Sequence, residues 1–183
     1  MLYIIVALKA EAQSFVDKYK LKKEKLVTYV LYSNEKIKLI ISGIGVDASR
    51  DATQTLINHF DITDSDTYLN IGICAASKKY KIGSLIDIGN ITYHEINYVF
   101  DKSKKEIVCV DAALDKALYS IVDMESYGFY DAVIHNPAIK NFFILKVVSD
   151  HFEPEKVTKE SAKKLLFNKI DDINRLITLK DYS

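Results

Sequence analysis

Ile121-Val-Asp-Met-Glu-Ser-Tyr-Gly-Phe-Tyr-Asp-Ala-Val-Ile-His-Asn-Pro-Ala-Ile-Lys-Asn-Phe-Phe-Ile-Leu-Lys-Val-Val-Ser-Asp-His151 is the stretch on which the fold is decided. Its apolar opening pair, Ile121 and Val122, runs into Asp123, Met124 and Glu125, and a helical segment then extends to His135. Asn136-Pro137 ends that helix, because proline lacks the N–H a helix interior needs and disfavours helical geometry in the residue before it. Phe142 to Val148 follows as an apolar run broken only by Lys146, and it stops at Ser149-Asp150. A buried strand whose C-terminal end carries polar groups is where open α/β sheets place their ligands. Two such ends fall here, one with Glu125 and the other with Asp150.

Outward from this stretch the same pattern repeats. Residues 2–8 form a continuous apolar run, as expected of a strand covered on both faces. A helix is expected from Lys9 to Tyr19 with Phe15 and Val16 turned inward. Glu11 then sits at a strand-to-helix junction. The residues alone leave two readings open: a first-turn carboxylate offsetting the helix dipole, or a reacting group at a strand end. Residues 26–32 and 37–42 read as a hairpin around Ser33-Asn34-Glu35. Ser42-Gly43-Ile44-Gly45 then leads into a helix through Ala48, Ala52, Leu56 and Ile57. Such a glycine pair lets backbone N–H groups approach a ligand at a helix N-terminus, although many connections use glycine only to turn. Residues 67–76 read as a strand opening into a bend at Gly72. A further strand follows Lys81, and Asp101 to Lys105 is a solvated turn before the strand 106–110. Glu155 to about Leu179 reads as one amphipathic helix, with Ala162, Leu165, Leu166, Ile170, Ile173 and Leu176 at helical spacing.

Composition narrows the class. At 183 residues the chain is long enough for one domain, 1–183, with a sizeable core. Lys plus Arg and Asp plus Glu are 25 each, so no net charge draws it to nucleic acid or an anionic membrane. Cys74 and Cys109 lie in apolar runs and read as reduced thiols of a cytoplasmic protein, with nothing demanding a disulfide. The apolar N-terminal run is too short for a signal peptide, and no stretch approaches a membrane span. His94 has no second histidine at ligand spacing, so no metal site is expected.

Asp123-Met124-Glu125 opening a helix, followed by an apolar strand ending in Ser149-Asp150, resembles the purine nucleoside phosphorylase and nucleosidase superfamily. Within it, the methylthioadenosine/S-adenosylhomocysteine nucleosidases are the nearest likeness. Ser42-Gly43-Ile44-Gly45, the strand end at Gly72 and the segment Val110-Asp111-Ala112-Ala113-Leu114 match in the same order, so the resemblance spans nearly the whole chain. It implies an α/β fold of three αβα layers with a mixed central sheet, a purine nucleoside as small-molecule substrate, no cofactor, and a homo-oligomer. It also implies roles. Glu125 would hold the ribose hydroxyls and Met124 would pack on the sugar. Asp150, oriented by Ser149, would protonate the purine, and Glu11 would activate water. Ser42, Gly43, Gly45 and Gly72 would be among the substrate-binding residues.

The chain also departs from the pattern. Where phosphorylases carry an arginine and a hydroxyl for phosphate, this sequence has Asn70 and Ile73, and Ala75 replaces the usual second glycine. Lys9 and Glu11 occupy the place of an arginine-bearing loop. Hydrolysis therefore fits better than phosphorolysis, with Arg50 as the side chain able to compensate. The phenylalanine that stacks on the purine is Ala113 here, which leaves Phe100, Tyr127 or Phe152 to supply an aromatic face. Glu95 passes to Ile107 with almost nothing between, where the nucleosidases carry several tens of residues. Three readings follow: a hydrolase, a phosphorylase using phosphate as second reactant, or a non-catalytic nucleoside binder. Hydrolysis requires Glu11, Glu125 and Asp150 to line one cavity.

Overall fold

The computed structural model describes residues 1–178. Ten strands form one mixed sheet: β1 Leu2–Val6, β2 Lys22–Leu26, β3 Tyr29–Ser33, β4 Ile37–Ile41, β5 Thr67–Ala76, β6 Leu85–Tyr93, β7 Ile96–Val99, β8 Lys105–Cys109, β9 Ile121–Asp123 and β10 Asn141–Asp150. The helices are α1 Lys9–Tyr19, α2 Val46–His59, α3 Ser126–Ile134, α4 Lys159–Phe167 and α5 Ile170–Thr178. Among the described residues no helix is long and apolar enough to cross a membrane.

The layers follow from strand alternation, which sends neighbouring side chains to opposite faces. Tyr3 and Ile5 of β1 join Tyr68, Ile144 and Val148 under α2 and α3, against Leu56, Phe129 and Val133. Ile4 and Val6 join Leu69, Ile71, Leu145 and Val147 under α1, α4 and α5, against Phe15, Leu166 and Ile170. Both faces of β1, β5 and β10 are thus covered, which is why these strands read as unbroken apolar runs.

The sheet closes partly on itself. β5, β10, β6, β8 and β9 pair in succession and return to β5, while β1, β4, β3 and β2 extend from the other side of β5. β5 pairs with β10 from Thr67 to Ala75. Its other edge pairs with β1 as far as Asn70 and with β9 from Ala75. Between those points β1 and β9 splay apart, and the backbone of Ile71 to Cys74 has no ladder partner on that side. The candidate site occupies this gap.

Several expectations need correction. The strand expected over 26–32 starts only at Tyr29, as β3, because the chain turns at Val27, which takes a left-handed φ of 55°; β2, ahead of that turn, is not among the expected strands. β2 is charged along most of its length, an outer edge strand whose lysines give no apolar signal. The C-terminal helix is two helices, broken at Asn168 and Lys169, and Leu179 lies outside the described residues. No bend occurs at Gly72; β5 runs through it to Ala76.

Candidate active site

The splay between β1 and β9 creates a demand that Glu11 meets. Ile73 N–H, without a strand partner, donates to Glu11 Oε1 at 3.0 Å. Glu11 Oε2 accepts the N–H groups of Ala7 at 3.0 Å and Leu8 at 2.8 Å. The carboxylate therefore caps the start of α1 and stitches α1 to β5 at once, while it also lines the cavity. The capping reading of this residue holds, and the same carboxylate faces the cavity. Gly72 makes the arrangement possible, since a Cβ there would meet Glu11 Oε1 at 2.9 Å. Gly72 is absent from the cavity wall; it makes room for the carboxylate instead.

Glu125 sits at the start of α3 and accepts the Gly45 N–H at 3.1 Å through Oε1. Gly45, at φ 106°, and Gly43, at φ 91°, turn the chain so that this N–H faces Glu125 and Ile44 enters the cavity wall. Gly43, Gly45 and Ser42 do not themselves line the cavity. Ser42 Oγ is engaged with the Val6 carbonyl at 3.2 Å and the Gly43 carbonyl at 2.7 Å. These three residues build the site from behind.

Asp150, buried at the end of β10, accepts the Glu153 N–H at 2.8 Å through Oδ1. Its Oδ2 lies 2.7 Å from Ser149 Oγ. Glu11, Met124, Glu125, Ser149 and Asp150 all line one cavity of about 310 Å³, within the range of small-molecule sites. The single condition set for hydrolysis, three carboxyls on one cavity, is met.

Two further residues underpin the site, Asp123 in the cavity wall and Lys146 buried in β10. Lys146, 1% exposed in the middle of β10, places Nζ 2.7 Å from Asp123 Oδ2. Burial works against the Lys146 charge, but Asp123, Glu125 and Glu11 outweigh it and hold the ammonium above its ordinary pKa. Asp123 also accepts the Ser126 N–H at 2.9 Å and so caps α3. The signal was visible: one lysine inside an apolar strand, and one carboxylate ending another, need each other. Burial raises the pKa of Glu11, against the opposing pull of its three N–H donors and Lys146. Burial, then Asp123, raises Glu125 to about 7, with Lys146 and the Gly45 N–H acting the other way.

No arginine or lysine lines the cavity, whose polar groups include Glu11, Asp123, Glu125 and Asp150. Arg50 does not compensate: it is bound to Asp131 and Asp47, each at 2.6 Å. No aromatic ring lines the cavity either. Phe100 stacks on Tyr130, Tyr127 stacks on Tyr93, and Phe152 is buried elsewhere. Ala113 and Leu114 form that wall. Among the described residues no group of three or more histidine, cysteine or acidic side chains could hold a metal ion.

This mixed sheet, partly closed on itself and flanked by helices, is a fold shared with solved nucleosidases. The solved structures it superposes on include 5′-methylthioadenosine/S-adenosylhomocysteine nucleosidases and a futalosine hydrolase. A Francisella philomiragia protein assigned to the former matches with TM-score 0.76 at 16% identity, over 97% of this chain and 98% of that one. A Helicobacter pylori nucleosidase, an aspartate-to-asparagine mutant with 5′-methylthioadenosine in its active site, matches with TM-score 0.74 at 15% identity, over 93% and 98%. The futalosine hydrolase of Helicobacter pylori matches with TM-score 0.74 at 15% identity, over 93% and 97%. The sequence matches no protein-family model and no curated protein.

Proposed function

We propose that this protein hydrolyses the N-glycosidic bond of a purine nucleoside. The observation that carries the reading is the convergence of Glu11, Glu125 and Asp150 on one cavity whose walls contain no cation. Breaking the bond makes the sugar cation-like and requires the base to leave as a neutral purine. Asp150, steadied by Ser149, gives a proton to the purine, and general acid catalysis of this kind contributes about 10²- to 10⁴-fold. Glu125 accepts hydrogen bonds from the ribose diol, bonds that strengthen as positive charge grows on the sugar. Glu11 has three of its roughly four lone-pair sites filled by backbone donors, and the remaining one takes a proton from water. Its raised pKa makes it a stronger base than an exposed carboxylate. Met124 packs against the sugar. Phosphate has no counter-charge in this cavity and would face carboxyls, so water is the nucleophile.

The complex of 5′-methylthioadenosine with an aspartate-to-asparagine mutant of a protein of this fold supports the choice of test. Release of free base from adenosine, inosine and methylthioadenosine is measured with and without phosphate, in wild type and Asp150→Asn. Phosphate-independent release, reduced about 100-fold or more in the mutant, is expected. Release only with phosphate would make the protein a phosphorylase. Binding without release would leave it a nucleoside-binding protein, a reading that the absent aromatic wall favours.

A further inference from the structure

Asp150 is reached from two sides. Its front faces the carboxylate cavity, and its back borders a separate cleft of about 390 Å³ against α4. Ser149 belongs to both walls as well. The segment 153–157 is the partition: Pro154 and Val157 face the cavity, whereas Glu153 and Lys156 line the cleft. Glu153 and Lys156 are paired with each other. Lys164, on the α4 side of the cleft, has an ammonium group with no hydrogen bond or ion pair among the described residues. The cleft is far larger than the roughly 15 Å³ that one water needs.

The groups at the junction suit a carboxyl that changes state. Asp150 Oδ1 is held by the Glu153 N–H. Ser149 Oγ is within reach of two acceptors, Asp150 Oδ2 at 2.7 Å and the Cys74 carbonyl at 3.1 Å. Its hydroxyl serves the carboxylate while that is ionised and turns to the carbonyl once it is protonated. Neither state strands a buried donor. The charged groups around Asp150 are Glu11, Asp123 and Glu125 on the cavity, and Glu153, Lys156 and Lys164 on the cleft.

This inference rests on the nucleosidase reading, in which Asp150 gives a proton to the purine. A purine laid over Asp150 takes water from it, and desolvation disfavours the ionised carboxyl. The demand for a proton therefore arises when the base already covers the front. We propose that the cleft behind Asp150 is the proton-entry route to the general acid, open to solvent while the cavity is filled. An acid in the cleft, hydronium or a protonated buffer, gives its proton to the Asp150 carboxylate and is left as water or the conjugate base. That proton passes to the purine as the bond from sugar to base breaks, with the bonding electrons staying on the base. The cleft then reloads Asp150 for the next turnover.

Two uncleavable ligands present the same diol to Glu125 and differ at the base. Carbocyclic adenosine, with a methylene in place of the ring oxygen, keeps an acceptor at the purine N7. Adenosine with carbon in place of N9 brings its own N–H there. With an indicator dye at neutral pH, wild type should take up about one proton more with the first ligand than with the second. Asp150→Asn should abolish that difference. Lys164→Cys then allows the cleft to be plugged, since Cys74 and Cys109 are buried. An aminoethyl methanethiosulfonate adduct restores a lysine-like side chain, and a benzyl adduct fills the space. Stopped flow should show the extra proton arriving with the ligand in the aminoethyl form and severalfold later in the benzyl form, with equal final uptake. Equal rates in the two adducts, or a delay no longer than that of binding itself, overturn the route and leave the nucleosidase reading standing. No extra proton in wild type removes Asp150 as the acid for the purine, and the route with it.

Discussion

At the residue scale, the site is a problem of keeping several carboxyls together out of water. Glu125 shows the consequence most clearly, because burial and Asp123 lift its pKa to about 7. An unfolded glutamate loses its proton near 4.5, so between that value and about 7 the folded state binds more protons than the unfolded one. Stability contributed by this group is therefore present at low pH and lost as pH rises through that window. Glu125→Gln keeps an acceptor for the Gly45 N–H and removes the charge. Its stability relative to wild type should be near zero at pH 4 and grow to about 1–3 kcal/mol at pH 8, read from urea titrations at both values. A gain that is the same at both pH values would show that Glu125 is not the titrating group. Glu125 and Asp150 were legible because each ends an apolar strand run. The backbone bonds of Glu11 were not, since the Ile73 N–H that it captures is freed only by the splay of β1 from β9.

At the element scale, the precision of the site depends on how closely α2 and α3 pack. A Cβ at Gly128 would lie 1.9 Å from the Val46 carbonyl oxygen and 3.0 Å from the Arg50 backbone nitrogen. These are backbone atoms that cannot rotate away, so the helices themselves must separate. Gly128→Ala is expected to cost about 1–3 kcal/mol, as overpacking does. At about 2–4 °C per kcal/mol for a chain of this size, calorimetry should show a clear fall in melting temperature. Because Val46 follows Gly45, the same shift lengthens the Gly45–Glu125 bond and should raise KM. An unchanged melting temperature would refute the close approach. Elements with strong local signals were readable in advance: α1 runs Lys9–Tyr19 and β5 runs Thr67–Ala76, and α3 ends ahead of Pro137 as proline requires. The misses have local causes. Lys22–Leu26 alternates no apolar face, being an edge strand, and the periodicity of 155–179 continues across a break that depends on packing under α1.

At the scale of the whole molecule, the cavity is assembled from segments far apart in sequence. Ala7, Leu8 and Glu11 supply one part of its wall, Asp123 to Glu125 another, and Ser149, Asp150, Pro154 and Val157 a third. Sequence order can suggest that these segments carry chemistry, but only the partial closure of the sheet brings them together. The same closure explains Lys146, whose charge is tolerable only because β9 returns beside β5 and delivers Asp123. A ligand in the cavity must therefore tie the splayed strands to one another. The probe is an adenosine analogue whose base is joined to the sugar through carbon, so that it binds without being cleaved. At one hundred times its dissociation constant it should stabilise the fold by about 2.7 kcal/mol, or roughly 5–11 °C in melting temperature. Hydrogen exchange should slow in all three segments together, and Glu125→Ala with Asp150→Ala should abolish both effects at the same ligand concentration. Protection confined to one segment, or surviving the double substitution, would place the ligand outside the gap between β1 and β9 and remove the basis for a nucleoside site there.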